Sequence, residues 1–264
     1  MELTIYQIDA FAERRFAGNP AAVVPLQNWL PDATLQAIAA ENNLAETAYF
    51  IREGAKGSSD FHLRWFTPTV EVDLCGHATL ASGFVISTYL EAGRDRMSFR
   101  SRGGVLGVER RGDLFALDFP VRRPKEMAMP DGVEKALSRK PVKMLAAQPW
   151  LAVYESEADV AALKPDMAAI VGLGRDGVIA TAPGRSSDYV CRYFAPHAGI
   201  PEDPATGSAQ CVTVPYWAER LGKTKLSGRQ ISSRVGSFQC ELKGDRVDIA
   251  GRCVAYLEGR IHVD

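Results

Sequence analysis

The sequence predicts an α/β fold of the α+β kind, with two pseudo-symmetric halves, each a mostly antiparallel sheet wrapped around a central buried helix. An internal repeat and an uncharged helix predict it. Three segments of the first half return in the second at offsets of 128, 131 and 132: RWFTP (64–68) as RYFAP (192–196), GHA (76–78) as GSA (207–209), and 102–113 as 234–245. The matches keep their order and nearly the same offset, which indicates a duplicated chain.

The uncharged helix is predicted from about Gly76 to Leu90. Its stretch 78–90 has no charged residue on any face and is rich in Ala, Gly and Ser, so protein must surround it on all sides. Strands able to do so follow directly. Gly-Gly and Gly-Asp turns separate three segments that are predicted to form a meander: Met97–Arg102, Val105–Arg110 and Leu114–Phe119.

The remaining segments give each half a similar set of elements. The first half is predicted to contain a strand at 5–8, a helix opened by Pro31-Asp32 and closed by Asn42-Asn43, and strands at 46–51 and 61–66. The second half is predicted to contain a helix after Thr206 and strands near 230–234, 238–242, 247–249 and 254–263. Pro215 falls within that helix, where it removes a hydrogen bond and is expected to kink or shorten it.

A run of prolines indicates where the boundary between the two predicted domains lies. The stretch 120–144 contains Pro120, Pro124, Pro130 and Pro141 and is the expected linker region. The predicted domains are therefore residues 1–119, which carry Glu46, and residues 120–264, which carry the segment EDPATGSA. The last strand of the second half is a candidate for packing on the first half.

Composition favours a protein that acts on small molecules. The 264 residues contain 31 Lys plus Arg against 32 Asp plus Glu, a formal net charge of -1, so no overall field attracts nucleic acid or an anionic membrane surface. The first residues show no leader pattern, and no window offers about 18 uncharged apolar residues. We therefore expect a soluble, cytoplasmic protein with neither a nucleic-acid nor a membrane partner.

The five cysteines predict neither a disulfide framework nor structural zinc. They are odd in number, widely spaced and without a C-x-x-C pair. We expect them to be small buried apolar residues in a reducing compartment.

Both buried helices begin with small residues, at 76–79 (GHAT) and 206–209 (TGSA). Their first N–H groups lack intrahelical partners, so two such starts that face each other in a cleft between the halves would bind an anion such as a carboxylate. The alternative is a pair of ordinary helix starts, capped by Asp73 and by Asp203 or Thr206. The anion site predicts a carboxylic acid as substrate.

Four motifs carry a resemblance to a known family: residues 16–23 (FAGNPAAV), 43–49 (NLAETAY), 73–81 (DLCGHATLA) and 202–209 (EDPATGSA). Together they resemble the signature blocks of PhzF (phenazine-biosynthesis) proteins, which have the diaminopimelate epimerase-like fold. The resemblance implies that Glu46 is the acid/base and that His77, Asp203 and Ser208 line the substrate site, beside the helix-start glycines Gly76 and Gly207. It also implies a homodimer that uses neither metal nor organic cofactor.

The repeat gives separate support for a single acid. An offset of about 132 from Glu46 leads to Val178, where no carboxylate stands. A one-base isomerase needs one carboxylate within reach of two substrate carbons. In an apolar cleft between two domains such a carboxyl group loses hydration, so we expect a raised pKa for Glu46. Stereocentre-inverting relatives of this fold use two cysteines at the helix starts, but here Cys75 has Thr206 as its repeat equivalent, and a hydroxyl is a poor second base. We expect Cys75 to be a structural residue of the turn.

The leading hypothesis is a cofactor-independent isomerase that shifts a double bond of a small amino or hydroxy acid by proton transfer. In the PhzF prototype this would be the isomerisation of dihydro-hydroxyanthranilate, although residues outside the motifs decide the substrate. One alternative is a cofactor-independent racemase or epimerase. The other is a catalytically silent binding protein with the same fold.

Overall fold

The structure, a computed structural model, describes residues 1–53, 59–174 and 177–264. By its internal contacts the chain divides into two units: unit 1 contains residues 1–118 and 250–264, and unit 2 contains residues 119–249. The sequence assigned residues 250–264 to the second half, with packing on the first half as an option. In the structure the last strand pairs along its whole length with the first, from Ala10↔Cys253 to Glu2↔His262, and so lies in unit 1.

Unit 1 is built on a mostly antiparallel sheet. Its strands are β1 (Glu2–Ala10), β2 (Asn19–Leu26), β3 (Glu46–Arg52), β4 (Phe61–Phe66), β5 (Glu71–Val72), β6 (Arg96–Ser101), β7 (Gly104–Arg111), β8 (Leu114–Pro120) and β18 (Cys253–His262). They pair in the order β18-β1-β2-β3-β4-β6-β7-β8, and β5 pairs with the end of β4. Only β2/β3 and β4/β6 are parallel among these pairs.

Two helices cover the opposite faces of this sheet. Helix α1 (Asp32–Asn42) buries Leu35, Ile38 and Ala39 against Tyr49 of β3, and Asn43 ends it in the left-handed conformation, as predicted. Helix α2 (Gly76–Val85) continues into one π-helical turn, Ile86–Leu90. All residues of α2 except Gly76 and Phe84 are buried, and the helix contacts β1, β2, β3 and β7. The predicted central helix is therefore confirmed.

Unit 2 repeats this arrangement. Its strands are β9 (Lys125–Glu126), β10 (Lys143–Ala146), β11 (Trp150–Val153), β12 (Val178–Pro183), β13 (Tyr189–Ala195), β14 (Ile200–Asp203), β15 (Lys225–Gln230), β16 (Gly236–Lys243) and β17 (Arg246–Gly251). Its helices are α3 (Val133–Leu137), α4 (Glu157–Ala161), α5 (Met167–Gly172) and the buried α6 (Gly207–Leu221), with a 3-10 turn at Pro196–Ala198.

The pairing of unit 2 matches that of unit 1 strand by strand. The parallel pairs β11/β12 and β13/β15 correspond to β2/β3 and β4/β6, and the pairs between them are antiparallel in both units. Equivalent side chains repeat as well. Arg64 Nε lies 2.7 Å from Glu71 Oε1, and Arg192 Nε lies 2.8 Å from Glu202 Oε1. The pseudo-symmetric fold class predicted from the repeat is confirmed.

Pro215 was expected to kink or shorten α6, and the helix is not shortened. The helix runs for 15 residues with Pro215 inside it. A proline at this position leaves the carbonyl of Cys211 without its helical donor. The backbone N–H of Arg122 donates to that carbonyl at 2.9 Å and so replaces the missing bond.

The strand predicted near 230–234 is also wrong. Strand β15 ends at Gln230, and Ser232 starts a turn closed by its carbonyl and the N–H of Val235, 3.3 Å apart. Val235 has φ 54°, an unusual conformation for a β-branched residue. Ser232 and Ser233, which fall inside the predicted strand, form part of this turn.

Two further sequence expectations concern cysteines and membranes. All five cysteines lie in the described ranges as free thiols, four of them buried. Within those same ranges, no helix combines the length and the apolar character needed to cross a membrane.

Candidate active site

A tight turn places the start of β2 beside the start of β3. Gly18 has φ 62°, and a Cβ on it would lie 2.2 Å from the carbonyl oxygen of Ala10, so only glycine fits this turn. The buried carboxylate of Asp9 accepts the N–H of Phe16 at 2.8 Å. The motif at 16–23 continues into β2, where Ala21 pairs with Glu46 of β3.

Glu46 is the first residue of β3, and its side chain is 13 % exposed. Because side chains alternate along a strand, Tyr49 faces α1 and Glu46 faces α2. There Glu46 Oε2 lies 3.2 Å from Nε2 of His77, in the first turn of α2. The other ring nitrogen of His77, Nδ1, lies 3.5 Å from Sγ of Cys75. The structure therefore brings Glu46, His77 and Cys75 together, with the imidazole between thiol and carboxylate.

The charges of this cluster correct one expectation. The sequence argument predicted a raised pKa for Glu46, since a carboxyl group buried in an apolar cleft loses hydration. Burial does act in that direction, but the charge and close contact of His77, helped by the Cys75 thiol, hold the pKa of Glu46 below its ordinary value. That expectation is wrong because it left out a cation that stands 31 positions later in the sequence.

The pKa values of the two partners of Glu46 are raised. Burial opposes the imidazolium form of His77, but the contacts with Cys75 and Glu46 raise the pKa of His77 well above its ordinary value. Burial, with the Glu46 charge, raises the pKa of the Cys75 thiol to about 11. Near neutral pH the cluster is thus a carboxylate, an imidazolium and a neutral thiol.

Several buried polar atoms near this cluster lack a hydrogen-bond partner. Within the described ranges, Glu46 Oε2 and His77 Nε2 are in ion-pair contact but make no well-aligned hydrogen bond, and Trp65 Nε1 has no acceptor. Trp65 pairs with Ala48, two residues from Glu46, so its side chain lies on the α2 face of the sheet. Buried groups of this kind are rare and costly unless a ligand or water serves them. Trp65 has no functional role among the sequence predictions, and the register of β4 against β3 is the signal that points to it.

The cluster also has a donor set that could hold a metal ion. One ligand atom each from Glu46, Cys75 and His77 lies within 4.8 Å of the others. Thiolate, imidazole and carboxylate together suit a borderline ion such as Zn²⁺. Such binding requires the thiol and the imidazolium to lose their protons, which their raised pKa values oppose. The expectation that no metal is used stays a prediction.

In unit 2, the start of α6 is held by its neighbours and not by a side-chain cap. Thr206, the N-cap residue, uses its hydroxyl to donate to the Asp203 carboxylate, and its N–H donates to Oε1 of Gln230 at 2.8 Å. Among the described residues, neither N-cap side chain makes a capping hydrogen bond: Thr206 does not cap α6, and Cys75 does not cap α2. Capping of α6 by the Thr206 side chain is therefore wrong, whereas capping by Asp73 or Asp203 stays an alternative.

The predicted site residues fall into two groups: Glu46, Gly76 and His77 in unit 1, and Asp203, Gly207 and Ser208 in unit 2. Asp203 is 8 % exposed, and Ser208 is half-buried in the first turn of α6. The predicted pairing of the two helix starts stays a prediction. Val178 pairs with Phe194 as Thr47 pairs with Phe66, so the position equivalent to Glu46 is Gly177, which has no carboxylate either. The use of a single carboxylate stays a prediction.

Comparison with known proteins is consistent with this arrangement. The family model of phenazine biosynthesis-like proteins matches residues 8–259. An uncharacterised isomerase of Pseudomonas aeruginosa is 49% identical over 264 residues, which is 100% of both chains. A PhzF-family crystal structure from Enterococcus faecalis superposes with a TM-score of 0.96 at 42% identity, covering 100% of both chains. A hydroxyproline epimerase from Agrobacterium vitis, 11% identical with a TM-score of 0.61 over 98% of this chain and 92% of that one, shares the fold.

Proposed function

This chain belongs to the PhzC-PhzF family of phenazine biosynthesis-like proteins, and we propose that it is an isomerase of a small carboxylic acid that moves one proton with a single glutamate. Relatives with full-length coverage carry isomerase in their names. The observation that carries the proposal is the buried pair of Glu46 and His77, 3.2 Å apart.

The reaction begins with Glu46 as a carboxylate, since His77 holds its pKa low. The carboxylate takes a proton from a carbon next to an unsaturated or carboxyl group of the substrate. The C–H electron pair moves into the conjugated system, and the double bond shifts along it. Glu46, now a carboxylic acid, returns the proton to a second carbon of the same substrate.

His77 gives this transfer its electrostatic balance. When Glu46 gains the proton, the negative charge moves to the substrate, and the imidazolium stays beside it. A fixed positive charge in a buried site stabilises whichever partner is negative and needs no rearrangement during the reaction. Glu46 can therefore have a low pKa and still accept a proton from carbon, because the imidazolium stabilises the negative charge that forms on the substrate.

The remaining predicted residues are proposed to bind the substrate. Gly76 in unit 1 and Gly207 and Ser208 in unit 2 lie in first helical turns, whose N–H groups suit a carboxylate. Asp203 is proposed to contact a polar group of the substrate. No metal or organic cofactor enters these steps.

Two proposals concern the protein as a whole. We propose that it is a homodimer, as the PhzF resemblance implies, and that it works in the cytoplasm, as its composition suggests. Sedimentation that shows only a 28.8 kDa species at micromolar concentration would contradict the first proposal.

The test is a screen of small carboxylic acids, including unsaturated amino and hydroxy acids, for exchange of a carbon-bound proton in deuterated water. The proposal expects at least one acid to exchange with the wild-type protein and not with Glu46→Gln. A product that differs from its substrate only in the configuration of one carbon would favour the racemase alternative. Exchange with none of the acids would refute the proposal in favour of a binding protein.

A further inference from the structure

Gln230, the last residue of β15, is a buried polar residue to which the reaction above assigns no role. Its side chain is 0 % exposed. Three side-chain hydrogen bonds join Gln230 to the turn before α6. Oε1 accepts the N–H of Thr206 at 2.8 Å, while Nε2 donates to the carbonyl of Asp203 at 2.6 Å and to Oγ1 of Thr206 at 3.1 Å.

These bonds set the direction of the Thr206 hydroxyl. Because Oγ1 accepts a hydrogen bond from Gln230, its own proton is left for another acceptor, and it donates to the carboxylate of Asp203. The amide of Gln230 thus fixes both the backbone of the turn and the orientation of the Asp203 carboxylate. A backbone N–H can only donate, so this contact alone requires that Oε1 faces Thr206.

A second buried glutamine holds the same turn from inside the helix. Gln210 donates from Nε2 to the carbonyl of Thr206 at 3.1 Å, and its Oε1 accepts from the hydroxyls of Tyr189 and Thr213 at 2.6 and 3.0 Å. In unit 1, Thr79 donates to the carbonyl of Cys75 at 2.5 Å and occupies the repeat-equivalent place of Gln210. The Gln210 contact is therefore common to both helix starts, whereas the Gln230 contacts reach Asp203.

We propose that Gln230 is a positioning residue for substrate binding, which acts by orienting the Asp203 carboxylate and the first turn of α6. The inference rests on the proposed role of Asp203 in contacting the substrate. Gln230 suits this task because one amide supplies an acceptor and two donors from a single side chain. Leucine supplies none of them, and an ionised glutamate supplies only acceptors and adds a negative charge beside Asp203.

Gln230→Glu makes the role visible as a pH dependence. A protonated carboxyl group accepts at one oxygen and donates from the other, so it imitates the amide, whereas the ionised form cannot donate. Burial raises the pKa of an introduced carboxyl group. The exchange rate of Gln230→Glu should therefore fall as the pH rises from 5 to 8, by about 10- to 100-fold in kcat/KM, a loss typical of misplaced binding groups.

The matched control is Gln239→Glu. Gln239 lies on the adjacent strand β16 and is exposed, so the same change of charge should leave the pH profile of the wild type intact. Gln230→Leu should show the low rate at every pH. Thermal melting of each variant at pH 5 and pH 8 identifies any loss of folded protein.

The outcomes separate the inference from the proposed function. A falling profile confined to Gln230→Glu, with folded protein throughout, supports the inference. Wild-type kcat, KM and pH profile in folded Gln230→Glu and Gln230→Leu would overturn it and leave the isomerase proposal intact. A wild-type protein that exchanges no carbon-bound proton would refute both.

Discussion

Replacement of Glu46 by glutamine separates catalysis from architecture. The change keeps the shape of the side chain and removes its titratable proton. General acid/base catalysis contributes roughly 10² to 10⁴ in rate, so turnover should fall by at least this factor. The assay is exchange of the substrate proton in deuterated water, followed for wild type and variant under the same conditions.

The effect on stability follows from the contact with His77. At 3.2 Å the attraction between the two charges is about 5 kcal/mol at an effective dielectric constant of 20, and desolvation of both groups offsets much of it. In the variant, buried His77 releases its proton and avoids standing as an unpaired cation. We therefore expect a melting temperature within a few degrees of the wild type at pH 8. Stability should fall below about pH 6.5, where unfolding lets His77 take up a proton.

Two results would refute this reasoning. One is a Glu46→Gln protein that keeps wild-type exchange, because the proton would then travel through another group. The other is a variant that fails to fold at pH 8, because Glu46 would then be needed for architecture. A dead Cys75→Ser protein beside an active Glu46→Gln protein would transfer the chemistry to the thiol and favour the racemase alternative.

Four further predictions concern the same cluster. The rate of the wild type should be flat near neutral pH. It should fall in acid, as Glu46 gains a proton below its ordinary pKa, and in alkali, as His77 loses its proton above its raised pKa. A profile that falls on one side only would contradict the ion pair. His77 should also contribute stability that is full below about pH 6.5 and is lost as the pH rises through its raised pKa, which melting scans can check. Cys75→Ser should keep most activity, since the neutral thiol takes no part in the proposed proton transfer and a hydroxyl can replace its contact with Nδ1 of His77, so a loss of 100-fold or more would assign the thiol a step of its own. Dialysis against EDTA should leave the exchange rate unchanged, and recovery that depends on added Zn²⁺ would show that the cluster works as a metal site.

Much of the fold could be predicted because the internal repeat is still recognisable in the sequence. The repeat of RWFTP and GHA predicted both buried helices, and the lack of charge in 78–90 predicted burial of α2 on all sides. Glu46 begins β3, and its equivalent in unit 2 by strand register, Gly177, has no carboxylate. These inferences depend on local pattern and spacing, which can be taken from the sequence alone.

Other features depend on partners from distant parts of the chain. The low pKa of Glu46 depends on the distance to His77, which no local pattern contains. The uninterrupted α6 depends on the N–H of Arg122, 93 positions before Pro215, which reaches the Cys211 carbonyl. Gln230 was read as part of a strand, and its three bonds to the turn before α6 appear only once β15 and that turn are packed together.

The most direct test of the single-glutamate account is the fate of the proton that Glu46 removes. A substrate found in the screen, deuterated at the carbon that loses the proton, is converted in ordinary water, and the product is analysed by mass spectrometry and NMR at low conversion. The side chain of Glu46 is only 13 % exposed, so its proton should exchange slowly enough with water for part of the deuterium to reach the second carbon. Deuterium at that carbon in the first product molecules is the predicted result. A second carbon that receives hydrogen only from water, from the first turnover onward, would show that two different groups remove and return the proton.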